Sequence, residues 1–264
     1  MNKTIFYLSG LPRSGSTLLG SLIGQRPDFT VTPTSPFLDL LCYTDEAFAK
    51  LDVTYTYEKN VISHNVYKSI VENFYNHVAT KYILDKHRGH PRNILPLRMF
   101  TGKEPKVICT IRPISEIITS YITLIEKNQG KSNFVDADLI KENKKINVSN
   151  RAEKLWKAYI SDPYQSVKNG LEKNKSNMFL VEYDELIKNP IEVLKNIYKF
   201  LEIEDYSGHD FGNIANKCSE DKDSAWGLDN LHKIRPALKK ESANPKDVLG
   251  PYLASMYDEF NIKV

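Results

Sequence analysis

Two rhythms of apolar residues alternate along the chain. Short runs with β-branched and aromatic residues, as buried strands prefer, occupy 4–8, 28–32, 81–85, 106–111 and 178–183. Between them, apolar residues recur at helical spacing over 16–25, 35–48, 63–80, 92–100, 114–127, 148–173, 190–201 and 247–260. Strands alternating with helices of this length predict an α/β fold. Its centre is a parallel β-sheet of the P-loop type, with right-handed crossovers and helices flanking both faces. Ligands in such a sheet sit where the carboxyl ends of strands meet helix starts. No internal repeat breaks the pattern, and residues 1–264 read as one domain. Within it the polar stretch 207–236 has weak periodicity, and a loop of that length in a compact domain is expected to be mobile or functional.

The first strand-to-helix junction carries the first chemical signal. "SGLPRSGSTLLGSL", residues 9–22, follows the apolar run "TIFYL" and precedes a helix with Leu18, Leu19, Leu22 and Ile23 on one face. A nucleoside triphosphate loop reads G-x-x-x-x-G-K-[ST], with backbone N–H groups around the phosphates and a lysine on the outer ones. Gly10, Gly15 and Thr17 keep that frame, but Ser16 stands at the lysine position and the cation has moved to Arg13. An anion at this helix start meets free N–H groups and the positive end of the dipole. The absent lysine argues against ATP or GTP hydrolysis. It leaves room for a ligand with a single 5′-phosphate and another group beyond it. The plainer reading of the segment is a Gly/Ser turn with a solvated Arg13.

Composition narrows the classes. A chain of 264 residues with 41% hydrophobic and 26% charged content is an ordinary globular protein with room for a substantial core. A net charge of +3 is too small to imply nucleic acid, though it suits local anion pockets. No apolar run reaches membrane-spanning length, and the first strand begins too early to leave room for a signal peptide. Cys42, Cys109 and Cys218 are scattered, with no metal-ligand spacing and no disulfide framework, so reduced thiols and a cytoplasmic setting are expected.

A second anion site follows in "KVICTIRPISEIITSY", 106–121. An apolar strand ends at Arg112, Pro113 suits a helix start, and Ser120 lies further along the helix. A forked guanidinium and a helical hydroxyl can converge on one phosphate; alone, the segment equally suits a surface ion pair and an ordinary helical serine. "LPRSGSTLL" together with "IRPISEIITS" resembles the sulfotransferases that use 3′-phosphoadenosine 5′-phosphosulfate (PAPS). The resemblance implies that Pro12, Arg13, Ser14, Gly15, Ser16 and Thr17 hold the 5′-phosphosulfate and that Arg112 and Ser120 hold the 3′-phosphate. It also implies PAPS as donor, 3′-phosphoadenosine 5′-phosphate (PAP) as product, and no metal. "FLVEYDELIKNPIEVLKNIYKFL", 179–201, matches the family's strand, Tyr-acid-x-Leu and Asn-Pro helix, and places Tyr183 near the nucleotide. "YILDKHRGHPRNILPL", 82–97, and "GLDNLHKIRPAL", 227–238, resemble the branch of tyrosylprotein sulfotransferases and their bacterial and viral relatives. From them the resemblance takes Lys86 as the group at the transferring sulfuryl, and Lys233 and Arg235 on a C-terminal loop, near 207–236, that closes over the nucleotide.

Sulfuryl transfer shares the physics of phosphoryl transfer, in which positioning and preorganised charge do most of the work. Arg13 and Lys86 are therefore the expected catalytic cations. The base is the departure from the family: where the tyrosylprotein enzymes carry a glutamate, this chain has Thr34. Asp39 is the nearest carboxylate and the expected base, with His64 and His87 as alternatives by residue type. The partner is an acceptor with a hydroxyl or an amine, whether peptide tyrosine, glycan or small molecule. Two other readings stay open: a P-loop kinase with an altered loop, and a catalytically silent PAP- or PAPS-binding module.

Overall fold

The computed structural model describes residues 3–51, 59–218, 223, 227–240 and 242–263. Strands β1 (Thr4–Gly10), β2 (Phe29–Thr34), β3 (Tyr82–Lys86), β4 (Val107–Ile111) and β5 (Met178–Glu182) form one five-stranded sheet in the order β2-β3-β1-β4-β5. Every neighbouring pair is parallel. The chain leaves β1 toward β2 and leaves β4 toward β5, in opposite directions across the sheet. A crevice therefore opens at the carboxyl ends of β1 and β4.

The pleat sends successive side chains to opposite faces, and both faces are covered. On one, Phe6, Leu8, Leu84 and Ile108 pack with Leu19, Leu22 and Ile23 of α1 (Ser16–Ile23) and Leu194, Ile197 and Tyr198 of α10 (Pro190–Leu201). On the other, Tyr7, Ile83, Val107 and Cys109 pack against a thicker layer. That layer includes α2 (Phe37–Lys50), α4 (Ile94–Thr101), α5 (Ile114–Lys127), α7 (Val148–Leu155), α8 (Ser161–Asn174) and α12 (Pro251–Asp258). The α/β sheet with helices on both faces is the architecture that the sequence predicts.

Departures from the predicted elements have local causes. The stretch 148–173 is divided by a π-helical turn at Trp156–Ile160, ahead of Pro163, whose ring cannot share the helix with the carbonyl of Tyr159. The last predicted helix splits into α11 (Pro245–Leu249) and α12 at Gly250, which has φ 80, and Pro251. Helix α3 (Lys59–Phe74) stops before the apolar pattern does, because Lys3 Nζ takes up the carbonyls of Tyr75 and Asn76 and the chain turns there. Two short helices escaped the periodicity: α6 (Phe134–Lys141), capped by the Asn133 side chain, and α9 (Tyr183–Lys188), which runs straight on from β5.

Candidate active site

The crevice holds a cavity of about 1010 Å³. Its floor is the loop between β1 and α1. Gly10 has φ 146, and a Cβ there would meet the Thr110 carbonyl oxygen at 2.4 Å, so only glycine lets β1 end flush against β4. Ser14 is buried, and its hydroxyl bridges the Thr110 hydroxyl at 2.6 Å and the Thr110 carbonyl at 3.0 Å. Gly15 has φ 92 and precedes α1, with no side chain capping the helix. The first N–H groups of α1 are thus directed at the cavity without a protein cap.

Two arginines from distant parts of the chain meet above this loop. Arg13 adopts a left-handed backbone conformation, φ 58. Its Nε donates to Ser120 Oγ at 3.2 Å, and its Nη1 donates to the carbonyl of Leu231. Burial lowers the pKa of the Arg13 guanidinium, and the positive charge of Arg112 pushes it the same way. Arg112, at the end of β4, donates from Nε to Glu116 Oε2 at 3.0 Å and from Nη1 to the Arg13 carbonyl at 3.1 Å. Its guanidinium lies 4.5 Å from the centre of the Tyr183 ring. Residues 231 and 242 of the C-terminal part contact them. Leu231 meets Arg13, Ser242 accepts from Arg112 Nη2, and Lys240 Nζ bridges Glu116 at 3.2 Å and Asp184 at 2.7 Å.

The other wall belongs to β2 and β3. Lys86 is buried at the end of β3, and its Nζ donates to Thr17 Oγ1 at 3.2 Å. Its main chain is fixed on both sides, because the N–H reaches Thr32 Oγ1 at 2.9 Å and the carbonyl accepts from Ser35 N. His87 lines the cavity, and its Nδ1 accepts from Gly89 N–H at 3.1 Å. The ring's proton therefore sits on Nε2, which lies 3.4 Å from Asp39 Oδ2. Burial lowers the His87 pKa and His90 lowers it further, against the pull of Asp39.

A family model described as "Sulfotransferase family" matches residues 6–207. The chain belongs to the sulfotransferase family. The fold has solved counterparts at low identity. Mouse sulfotransferase SULT7A1, complexed with PAP, is 15% identical over 98% of this chain and 83% of its own, with a TM-score of 0.53. Retinol dehydratase, in complex with androsterone and inactive cofactor PAP, is 14% identical over 98% of this chain and 80% of its own, with a TM-score of 0.53. The sulfotransferase domain from the curacin biosynthetic pathway is 18% identical over 100% of this chain and 93% of its own, with a TM-score of 0.50. No curated protein sequence matches. Among the described residues no helix is long and apolar enough to cross a membrane.

In this sulfotransferase most of the residues singled out on sequence come together. Pro12, Arg13, Gly15, Ser16, Thr17, Lys86, Arg112, Ser120, Tyr183, Lys233 and Arg235 all line the cavity, as does Thr34. Three do not. Ser14 turns its hydroxyl onto Thr110 and its N–H onto the Leu11 carbonyl. Asp39 reaches the wall only through His87, and His64 sits on the exposed face of α3. Sequence reasoning missed Glu116, the carboxylate that braces Arg112. The signal was there, since acid and arginine stand one helical turn apart across the start of α5.

Proposed function

We propose that this sulfotransferase takes the sulfuryl group from PAPS, held between the β1–α1 loop and the Arg112–Ser120 pair, and passes it across Lys86 to a hydroxyl. The observation that carries this reading is the junction of two anion sites. The uncapped start of α1 and the Arg112–Ser120 pair are joined through Arg13, which bonds Ser120 and lends its carbonyl to Arg112. The residues suit a nucleotide with phosphates at both ends. A Cβ on Gly15 would strike the Tyr183 ring at 2.8 Å, so the loop and the ring that backs Arg112 are already in contact, and the space above them is left to a ligand.

PAPS, when bound, supplies an activated sulfate with PAP as leaving group. Arg13 and the N–H groups of α1 hold the 5′-phosphate and offset the charge that grows there on transfer. Lys86, aligned by Thr17, takes up charge on the sulfuryl oxygens and the leaving oxygen. Arg112 and Ser120 bind the 3′-phosphate, and Lys233 and Arg235 close the segment 207–236 over the nucleotide as part of a single sulfotransferase domain. The lining of the cavity by residues 229–236 also supports a place in the tyrosylprotein-sulfotransferase-like branch. The thiols of Cys42, Cys109 and Cys218 agree with a reducing, cytoplasmic setting.

On the acceptor side, Thr34 offers no carboxylate, and His87 spends Nδ1 on Gly89 and turns Nε2 to Asp39. An acceptor that loses its proton readily suits this wall, so among peptide tyrosine, glycan and small molecule a phenolic hydroxyl fits best. The same observation supports a second reading, a module that binds PAPS without transferring from it.

The test is calorimetric titration with PAP, AMP and ATP in the absence of Mg²⁺, followed by labelled PAPS with phenolic acceptors. Tight PAP binding, weak AMP binding and transfer of label support the reading. ATP preferred in a Mg²⁺-dependent way returns it to a kinase, and PAP binding without transfer to any acceptor supports the silent module.

A further inference from the structure

Arg88 stands apart from the other arginines. Arg26, Arg92, Arg98 and Arg151 pair with Asp28, Asp162, Glu104 and Asp136. Arg13 and Arg112 are held as described, and Arg235 is engaged too. Among the described residues the Arg88 side chain makes no hydrogen bond or ion pair, although it is exposed and lines the cavity. Its backbone is the opposite of loose. The Arg88 carbonyl accepts from Ser9 Oγ at 3.2 Å and from Ser166 Oγ at 3.0 Å, and both serines are buried. The next residue is anchored as well, since the Gly89 carbonyl accepts from Asn93 Nδ2 at 2.8 Å and its N–H goes to His87. A fixed backbone thus presents an unpartnered guanidinium at the cavity mouth.

Its place in the topology says which ligand it meets. The two proposed phosphate sites lie at the ends of β1 and β4, while Arg88 lies in the turn just beyond the end of β3, the strand on the β2 side of β1. Because Lys86 is the residue assigned to the transferring sulfuryl, Arg88, two residues further on and away from Arg112 and Ser120, is assigned to the acceptor side. We propose that Arg88 is an acceptor-recognition residue and that the acceptor carries a carboxylate close to the hydroxyl that is sulfated. A planar fork of donors matches such a group in bidentate fashion, and a guanidinium that makes no ion pair with the protein leaves the match to the substrate.

The inference rests on the sulfotransferase reading, and its test separates the two. The protein is first saturated with PAP, whose failure to bind would defeat the reading of the cavity itself. It is then titrated with paired probes that differ in one charge: 3-(4-hydroxyphenyl)propionate and its amide, phenyl glucuronide and phenyl glucoside, and the dipeptides Tyr-Asp and Tyr-Asn. Label transfer from PAPS is measured for the same pairs. The wild type is expected to prefer the anionic member of at least one pair by about tenfold, which corresponds to ~1.4 kcal/mol. Arg88→Ala should level that preference while PAP still binds, and Arg88→Lys should restore part of it. PAP binding with no anionic preference in any pair, or a preference that survives Arg88→Ala, overturns the proposal.

Discussion

Arg112 Nη1 donates to the main-chain carbonyl of Arg13 at 3.1 Å, so the residue that follows β4 holds the backbone of the β1–α1 loop. This bond fastens a residue whose φ of 58 is uncommon outside glycine. With the 3′-phosphate role proposed for it, Arg112 would serve twice, once on the ligand and once on the loop.

Replacing Arg112 with alanine should weaken PAP binding by about 10- to 100-fold, the range for charge-assisted hydrogen bonds of roughly 1.5–3 kcal/mol. AMP binding should fall less, because AMP never meets the 3′-phosphate contact. Arg112→Lys should recover little, since an ammonium cannot reach Glu116, Arg13 and a phosphate together. Calorimetry of the two nucleotides on the three proteins decides it. Equal losses for PAP and AMP would leave Arg112 only its support of the loop.

Lys86 is expected to behave differently. Its Nζ donates to Thr17 and takes no part in the Arg13–Arg112 contacts, so on the proposed reading its charge counts most where charge develops. Lys86→Ala should lower kcat by about 10²–10³, the usual effect of removing one donor from a desolvated site. PAP affinity should change only a few-fold. Single-turnover rates with labelled PAPS provide the measurement, and a variant that loses PAP affinity but keeps its rate would move Lys86 out of the transfer step.

Gly15 offers a steric test of the same loop. Gly15→Ala brings a Cβ to 2.8 Å from the Tyr183 ring and places alanine at φ 92. A left-handed alanine costs about 1–2 kcal/mol before any clash is counted. The ring it displaces is the one beneath Arg112, so PAP binding should weaken along with stability. Urea unfolding and PAP titration of the variant read the two effects separately. Unchanged values in both would mean that the loop tolerates a side chain and that Gly15 has no special role.

Residue runs, periodicity and two motifs made the architecture and the family legible from sequence alone. The β-branched and aromatic run located the buried strand that carries Phe6, Tyr7 and Leu8, and Arg13, Arg112 and Ser120, singled out by two motifs, line one cavity. What was hidden depends on contacts between residues far apart in the chain. Nothing near Ser14 says that its hydroxyl turns away onto Thr110, and nothing near Leu231 says that its carbonyl meets Arg13. The acceptor wall was harder still. Asp39 is close to the expected base position in sequence, yet the turn of α2 leaves it behind His87, a matter of helix orientation that spacing does not encode.

Beneath that wall lies a buried network whose pH dependence can be predicted. Asp85, adjacent to Lys86 and fully buried, accepts from Tyr75 and lies 2.8 Å from His90 Nε2, while Ser35 bonds the Tyr75 hydroxyl at 2.9 Å. Burial pushes the Asp85 pKa up, but the hydrogen bond and charge of His90, with help from Ser35 and Tyr75, outweigh it and hold the carboxyl below its ordinary value of 3.8. A carboxyl depressed in the folded state stabilises fully above the unfolded pKa, and that contribution is lost as pH falls through the folded one. Acid should therefore strip stability from the wild type beginning around pH 5 and continuing below the ordinary carboxylate range. Asp85→Asn should cost on the order of 3 kcal/mol at neutral pH, because it places an amide donor where two acceptors were used. It should also flatten the acid limb of the stability curve, which a merely packing-related loss would not do. Urea unfolding of both proteins from neutral pH downward makes the comparison. Parallel acid limbs would mean that Asp85 is not the group whose protonation loosens the wall carrying Lys86 and Ser35.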